Sequence, residues 1–142
     1  MLKEGIILGE RYEIIFRIGS GGMADIYKAK EYKLKRMVAV KVLKAEFSED
    51  TTFIEKFRKE AQAAAGLSHP NVVNVFDVGK DRECYYIVME LIEGITLKDY
   101  ITKKCKLSIK EAISIAIQVS FGLEAAHNRG IIHRDVKPQN II

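Results

Sequence analysis

Apolar and polar residues alternate in five short runs between Tyr12 and Met89, and beyond Thr96 the alternation gives way to helical spacing. No other feature limits the fold as much. A chain patterned this way needs a sheet in its first half and packed helices in its second, an α+β arrangement. The strand runs cover residues 12–18, 25–30, 37–43, 72–78 and 84–89. Short separators such as Gly79-Lys80-Asp81 favour antiparallel pairing. One helix interrupts the strands. Between Thr52 and Leu67, the residues Phe53, Phe57, Ala61 and Ala64 recur at helical spacing. Asp50 or Thr51 can cap its start, and His69-Pro70-Asn71 is expected to end it. Glu60 stands seven positions after Phe53 and three after Phe57, so it shares their inward face. A carboxylate there needs a partner.

Two capping signatures open the helical half: Thr96-Leu97-Lys98-Asp99 and Ser108-Ile109-Lys110-Glu111. The second helix runs toward His127 and stops near Asn128-Arg129-Gly130, with Gly130 as its terminator. It is apolar nearly all round, through Ile109, Ile113, Ile117, Phe121 and Leu123, and so expects burial on several sides. Only 19 residues follow Leu123, too few to cover it. The expectation is therefore a piece of a longer domain.

Composition narrows the class. Hydrophobic residues make up 48% and charged residues 30%, which suits a globular protein and argues against disorder. The longest apolar stretch, residues 113–126, is broken by Gln118 and Glu124 and falls short of the roughly 18 residues of a membrane span. Lys3 and Glu4 deny the N-terminus a signal-peptide core, so the default compartment is the cytosol. A net charge of +4 permits an anionic ligand without demanding nucleic acid. The basic stretch through Lys28, Lys30, Lys33, Lys35, Arg36, Lys41 and Lys44 lacks the aromatic platform of a single-strand binder. Cys84 and Cys105 have no metal-ligand spacing, and two reduced, partly buried thiols are expected.

Three motifs carry chemistry. Gly19-Ser20-Gly21-Gly22-Met23-Ala24 is a glycine-rich turn whose backbone N–H groups can approach phosphate oxygens unobstructed. It also fits an ordinary hairpin turn and a dinucleotide fingerprint. The latter requires a helix next and an acidic residue about 20 positions on, where this chain has a strand and Lys41. Lys41 lies mid-strand in an apolar run. It is either a solvent-facing residue or an inward cation shared between a phosphate and Glu60. Residues 133–140, His-Arg-Asp-Val-Lys-Pro-Gln-Asn, pack a carboxylate, a cation and an amide into one loop after a helix.

In this order the motifs resemble the eukaryotic-like protein kinases, with a flavour of bacterial Ser/Thr kinases of the PASTA-receptor type in residues 18–27, 69–79 and 86–96. The resemblance covers residues 11–142. It implies a protein-kinase-like N-lobe of five antiparallel strands and an αC helix over residues 1–92. The first helices and catalytic loop of a truncated C-lobe would follow over residues 93–142. It implies ATP and magnesium as cofactors and protein Ser/Thr hydroxyls as acceptors. Gly19, Gly21 and Ala24 would cover the phosphates, with Ala24 replacing the usual third glycine. Lys41, paired with Glu60, would hold the α and β phosphates. Ile18, Ile26, Ala39 and Ile142 would sandwich the base. Met89 would be the gatekeeper, with Glu90 and Ile92 as the hinge. Asp135 would orient the acceptor hydroxyl, Lys137 would touch the transferring phosphate and Asn140 would bind magnesium. A lysine at position 137 is similar to Ser/Thr rather than tyrosine kinases. His133 is structural in this reading, and Arg134 would meet a phosphorylated activation loop.

The resemblance also sets three further expectations. The Asp-Phe-Gly segment of the family is absent from the 142 residues, so this piece alone is expected to be inactive or nearly so. The longer parent could be membrane-tethered. Self-association is expected either through the N-lobe, at Arg11, Leu34 and Asp77, or through the uncovered apolar helix.

Overall fold

The computed structural model describes residues 2–142. They form two compact units. The first takes in the described residues up to Gly66 together with Asn74–Leu91, and the second comprises Leu67–Val73 and Ile92–Ile142.

The first unit is a sheet with one helix. Its strands are β1 (Ile7–Leu8), β2 (Tyr12–Ser20), β3 (Ala24–Glu31), β4 (Arg36–Leu43), β5 (Val75–Asp81) and β6 (Cys84–Glu90). All pair antiparallel in the order β1-β2-β3-β4-β6-β5. Sequence pattern predicts five strands, and the sheet has six. The extra one, β1, is only two residues long, too short for alternation to register. The fifth run also begins later than expected, at Val75 rather than Val72.

Gly79-Lys80-Asp81 is strand, not turn; the turn falls at Arg82 and Glu83, with Arg82 at φ 54°. Gly79 has a packing reason. A methyl group there would stand 2.3 Å from Tyr86 Cζ, so the cross-strand ring occupies the space a side chain would need.

The alternation of β4 builds two cores at once. Val38, Val40 and Val42 face one side with Tyr12, Ile14, Tyr27, Ala29, Tyr86 and Val88. Leu43 faces the other with Ala24, Ile87 and the helix residues Phe57 and Ala61. Burying a side chain of this size is worth about 1.5–3 kcal/mol. That second core is closed by α1 (Thr51–Ala65), capped by Asp50, whose carboxylate accepts from the N–H groups of Thr52 at 2.8 Å and Phe53 at 3.4 Å. The helix ends at Gly66, ahead of the expected His69-Pro70-Asn71.

The second unit is helical, with α2 (Leu97–Lys104) and α3 (Ile109–His127). Ser108 and Glu111 complete a reciprocal capping box at the start of α3. At α2 only half the box forms: Thr96 accepts from the Asp99 N–H, while the Asp99 carboxylate takes the Thr96 hydroxyl rather than a backbone donor. Gly130, at φ 71°, follows the end of α3 as expected. Gly122 lies against the Asn71 backbone; an added methyl would stand 2.7 Å from Asn71 O. Much of α3 is uncovered rather than buried: Ile109, Ile113, Ile117 and Phe121 are all about half exposed or more. Cys84 is half-buried, but Cys105 is exposed, against expectation. Among the described residues no helix is long and apolar enough to cross a membrane.

Candidate active site

Directly opposed residues in a sheet share a face. Lys41 in β4 lies opposite Ile26 in β3 and Ile87 in β6. Ala39 lies opposite Met89, and Ile26 opposite Gly19. The register thus gathers Gly19, Ile26, Ala39, Lys41 and Met89 onto one side of the sheet, the side that carries α1. Ile18 falls in the register shift between Arg17 and Gly19 and is 45% exposed. Glu90, opposite Val38, belongs to the other side. Its carboxylate accepts from Asn74 Nδ2 at 2.8 Å, and its backbone N–H donates to Asn74 O at 2.9 Å.

The glycine-rich turn joins β2 to β3. The Gly21 N–H closes it by donating to Ala24 O at 2.8 Å. The Ala24 methyl points into the core with Leu43, Phe57, Ala61 and Ile87, so the residue that replaces a third glycine anchors the base of the turn. A side chain at Gly22 would meet nothing within 4 Å, leaving the tip open to an incoming group. Ser20 donates its hydroxyl to Asp25 across the hairpin at 2.6 Å.

Lys41 Nζ meets Glu60 Oε1 at 2.5 Å and stands 5.8 Å from the centre of the Phe57 ring. The side-chain exposures are 21% for Lys41 and 51% for Glu60. Glu60 is therefore not on the buried face of α1 that its spacing suggests. It stands at the edge of that face, with its neighbour Ala61 taking the core position, and Lys41 reaches out to it. An edge carboxylate avoids most of the desolvation that a dry ion pair suffers.

The second unit holds the other cluster. Asp135 Oδ2 receives Lys137 Nζ at 2.7 Å and Asn140 Nδ2 at 3.1 Å. The same Asn140 amide donates to Asp135 O at 2.9 Å. The Asp135 N–H donates to His133 Nδ1 at 3.3 Å, so His133 helps shape the loop. Arg134 takes the left-handed conformation at φ 62° that this tight knot requires. The Lys137 ammonium, and after it the Asn140 amide, hold the Asp135 carboxyl below the usual aspartate range. A single 3-10 turn, Pro138–Asn140, sets the spacing. Beyond it Ile141 O accepts from the Leu97 N–H at 2.8 Å, fastening the loop to the start of α2. Ile142 is 61% exposed and lies close to Gly94, while Ile92 is half-buried.

Two contacts escape sequence reasoning. Lys44 Nζ donates to Gly22 O at 3.1 Å, and Arg17 approaches Asp25 at 3.7 Å. Neither has a periodic or motif signal; both depend on how β2, β3 and the end of β4 are brought together.

A lysine paired to a helical glutamate, a glycine-rich turn on the same sheet and an Asp-Lys-Asn loop after a helix are parts that recur together in protein kinases. Residues 12–142 match the protein kinase domain family, and the chain belongs to it. It is 56% identical over 138 residues to a Clostridium perfringens protein described as a probable serine/threonine-protein kinase, covering 97% of this chain. It is 48% identical over 132 residues to the serine/threonine-protein kinase PrkC of Bacillus subtilis, covering 93% of this chain. The chain spans 20% of the length of each of these relatives. Among solved structures it resembles the kinase domain of Mycobacterium tuberculosis PknI, with a TM-score of 0.86 and 29% identity over 99% of this chain and 57% of that one.

Proposed function

We propose that these residues bind Mg-ATP and serve the transfer of its terminal phosphoryl group to serine or threonine hydroxyls of protein substrates. The observation that carries this reading is the Asp135 knot, in which one carboxylate is held ionised by Lys137 at 2.7 Å and fixed by Asn140 at 3.1 Å. A carboxylate of lowered basicity aligns a hydroxyl better than it strips a proton from it in the ground state. Its role is to aim the acceptor oxygen and take the proton as the new bond forms.

The donor chemistry suits the cofactor. Asn140 uses its NH2 group on Asp135, which leaves its carbonyl oxygen for a hard cation. Magnesium keeps several waters and takes phosphate oxygens, so one or two protein oxygens suffice. When bound, it would neutralise charge on the phosphates. Lys137 would neutralise the transferring group. In the first unit Lys41, positioned by Glu60, would hold the α and β phosphates beneath Gly19, Gly21 and Ala24. In the same unit Ile18, Ile26 and Ala39 would contact the base, Met89 would bound its pocket and the Glu90 backbone would bond its edge; Ile92 and Ile142, in the second unit, are assigned to the base by the family resemblance. Lys137 supports Ser/Thr rather than Tyr acceptors.

Self-association is part of the proposal. Leu34, 61% exposed beside Lys35, and the open stripe of α3 are the two candidate surfaces. Arg11 and Asp77 already bond each other at 3.3 Å within the chain, so an intermolecular pair would have to take over that contact.

The test is equilibrium titration of this chain with ATP in magnesium, alongside phosphoryl transfer by the full-length product of its gene. Lys41→Met is expected to weaken ATP by about tenfold or more, that is about 1.4 kcal/mol or more. Asp135→Asn is expected to keep ATP and lose transfer. ATP affinity unmoved by Lys41→Met would overturn the proposal.

A further inference from the structure

The tip of the glycine-rich turn is tied to a rigid part of the first unit. Lys44, the residue after β4, donates its backbone N–H to Met23 O at 3.0 Å and its ammonium to Gly22 O at 3.1 Å. Its own main chain cannot drift. Lys44 O accepts from the Phe47 N–H at 2.9 Å and from the Ser48 hydroxyl at 3.2 Å, closing the single 3-10 turn Ala45–Phe47. Phe47 in turn packs against Phe53 of α1, ring centres 4.6 Å apart and planes inclined at 41°.

We infer that Lys44 is a positioning residue that clasps the glycine-rich turn and joins its placement to that of α1. The inference rests on the nucleotide-binding reading above. Two bonds from one residue reach two successive carbonyls of the turn, Gly22 and Met23. Gly21 and Gly22 bring no side chains to the tip of the turn, so an external tether has a large share in fixing it. Through Phe47 and Phe53 the same residue is fixed to the helix that presents Glu60 to Lys41. Turn and ion pair are thereby referred to one platform, and a shift of α1 would carry the tether with it. The ammonium also places a fixed positive charge at the tip, on the route an anionic group would take to the backbone N–H donors.

The test compares Lys44→Met, which keeps the stem, with Lys44→Arg, which keeps a donor of similar reach. Hydrogen exchange on the chain without nucleotide reads the clasp directly. Lys44→Met is expected to speed exchange of the amides at 21–24 by about fivefold, the factor that one modest hydrogen bond carries. Lys44→Arg is expected to restore it, and residues 55–61 of α1 should exchange as before. A fluorescent ATP analogue is then expected to leave Lys44→Met about fivefold faster, with the melting temperature lowered by no more than about 3 °C. Unaltered exchange at 21–24 in Lys44→Met refutes the clasp, whatever the nucleotide does. If the unmutated chain binds no ATP at all, the functional reading falls, and exchange still decides whether the tether exists.

Discussion

Glu31 is fully buried, yet it carries a charge. Arg11 donates to it through Nε at 2.7 Å and through Nη2, and Arg36 donates through Nε at 2.6 Å. Glu31→Ala removes the shared anion and leaves two guanidinium groups. Abandoning a charge inside a protein costs about 3–5 kcal/mol. Here the arginine side chains keep 27% and 36% of their exposure. Arg11 also retains Asp77 at 3.3 Å, and Arg36 retains the Phe76 ring at 3.8 Å. The loss should therefore fall to about 2–3 kcal/mol, below the range for a dry charge. At about 3 °C per kcal/mol for a chain of this length, the melting point should drop by about 6–9 °C.

Replacing Arg11, Glu31 and Arg36 together by Met, Leu and Met should recover most of that loss, because no buried charge is then stranded; Asp77, which loses Arg11, is 39% exposed and keeps the Tyr12 hydroxyl at 2.7 Å. The pH dependence gives an independent check. Burial pushes the Glu31 carboxyl up, but the bonds from Arg36 and Arg11 outweigh it and leave it below the usual glutamate range. A depressed value in the folded state means that its stabilisation is present above the unfolded value and disappears as pH falls through the folded one. The gap between parent and Glu31→Gln should accordingly narrow in acid. Calorimetric melts from pH 7 down to pH 3 measure both effects. If Glu31→Ala melts within a degree or two of the parent at pH 7, the stranded-charge argument is wrong.

Ser108→Ala should cost about 1 kcal/mol by opening the capping box of α3, read as a fall of about 3 °C in the melting point. Lys104, followed by Ser108, holds the Glu111 carboxyl well below the usual range, so its stabilisation too is present at neutral pH and is lost only in strong acid; circular dichroism at pH 7 and pH 2 checks this. Leu34→Asp should shift sedimentation toward monomer if the β3–β4 turn mediates self-association, and an unchanged profile excludes that surface.

The strands were legible because a pleat buries alternate residues and Tyr12, Ile14, Val38, Val40 and Val42 obey that rule. The reading failed where another unit or a single ring imposed the structure. Val72 and Val73 look like the start of β5, but they belong with the helical unit, beside Gly122 and Asn71. Gly79 reads as a turn signal, yet it is glycine because the Tyr86 ring needs the room. The candidate site divides in the same way. The Asp135 loop is local in sequence and could be read from it. The Lys41–Glu60 pair, 19 residues apart, was suggested by helix spacing and by family resemblance, but the spacing overstated how deeply Glu60 is buried. Lys44 and Gly22, joined across 22 residues, left no pattern at all.

The strand β4 has consequences for how such a sequence can change. Its odd positions from Ala39 to Leu43 face the side of the sheet that carries α1, and its even ones from Val38 to Val42 face the opposite core. Loss or gain of one residue at its centre would exchange the two sets, turning Lys41 into the apolar core and the valines toward α1. Substitution can therefore wander along this segment one position at a time, whereas its length is frozen. The Arg82-Glu83 connection, with no side-chain parity to preserve, is the natural place for insertions to accumulate.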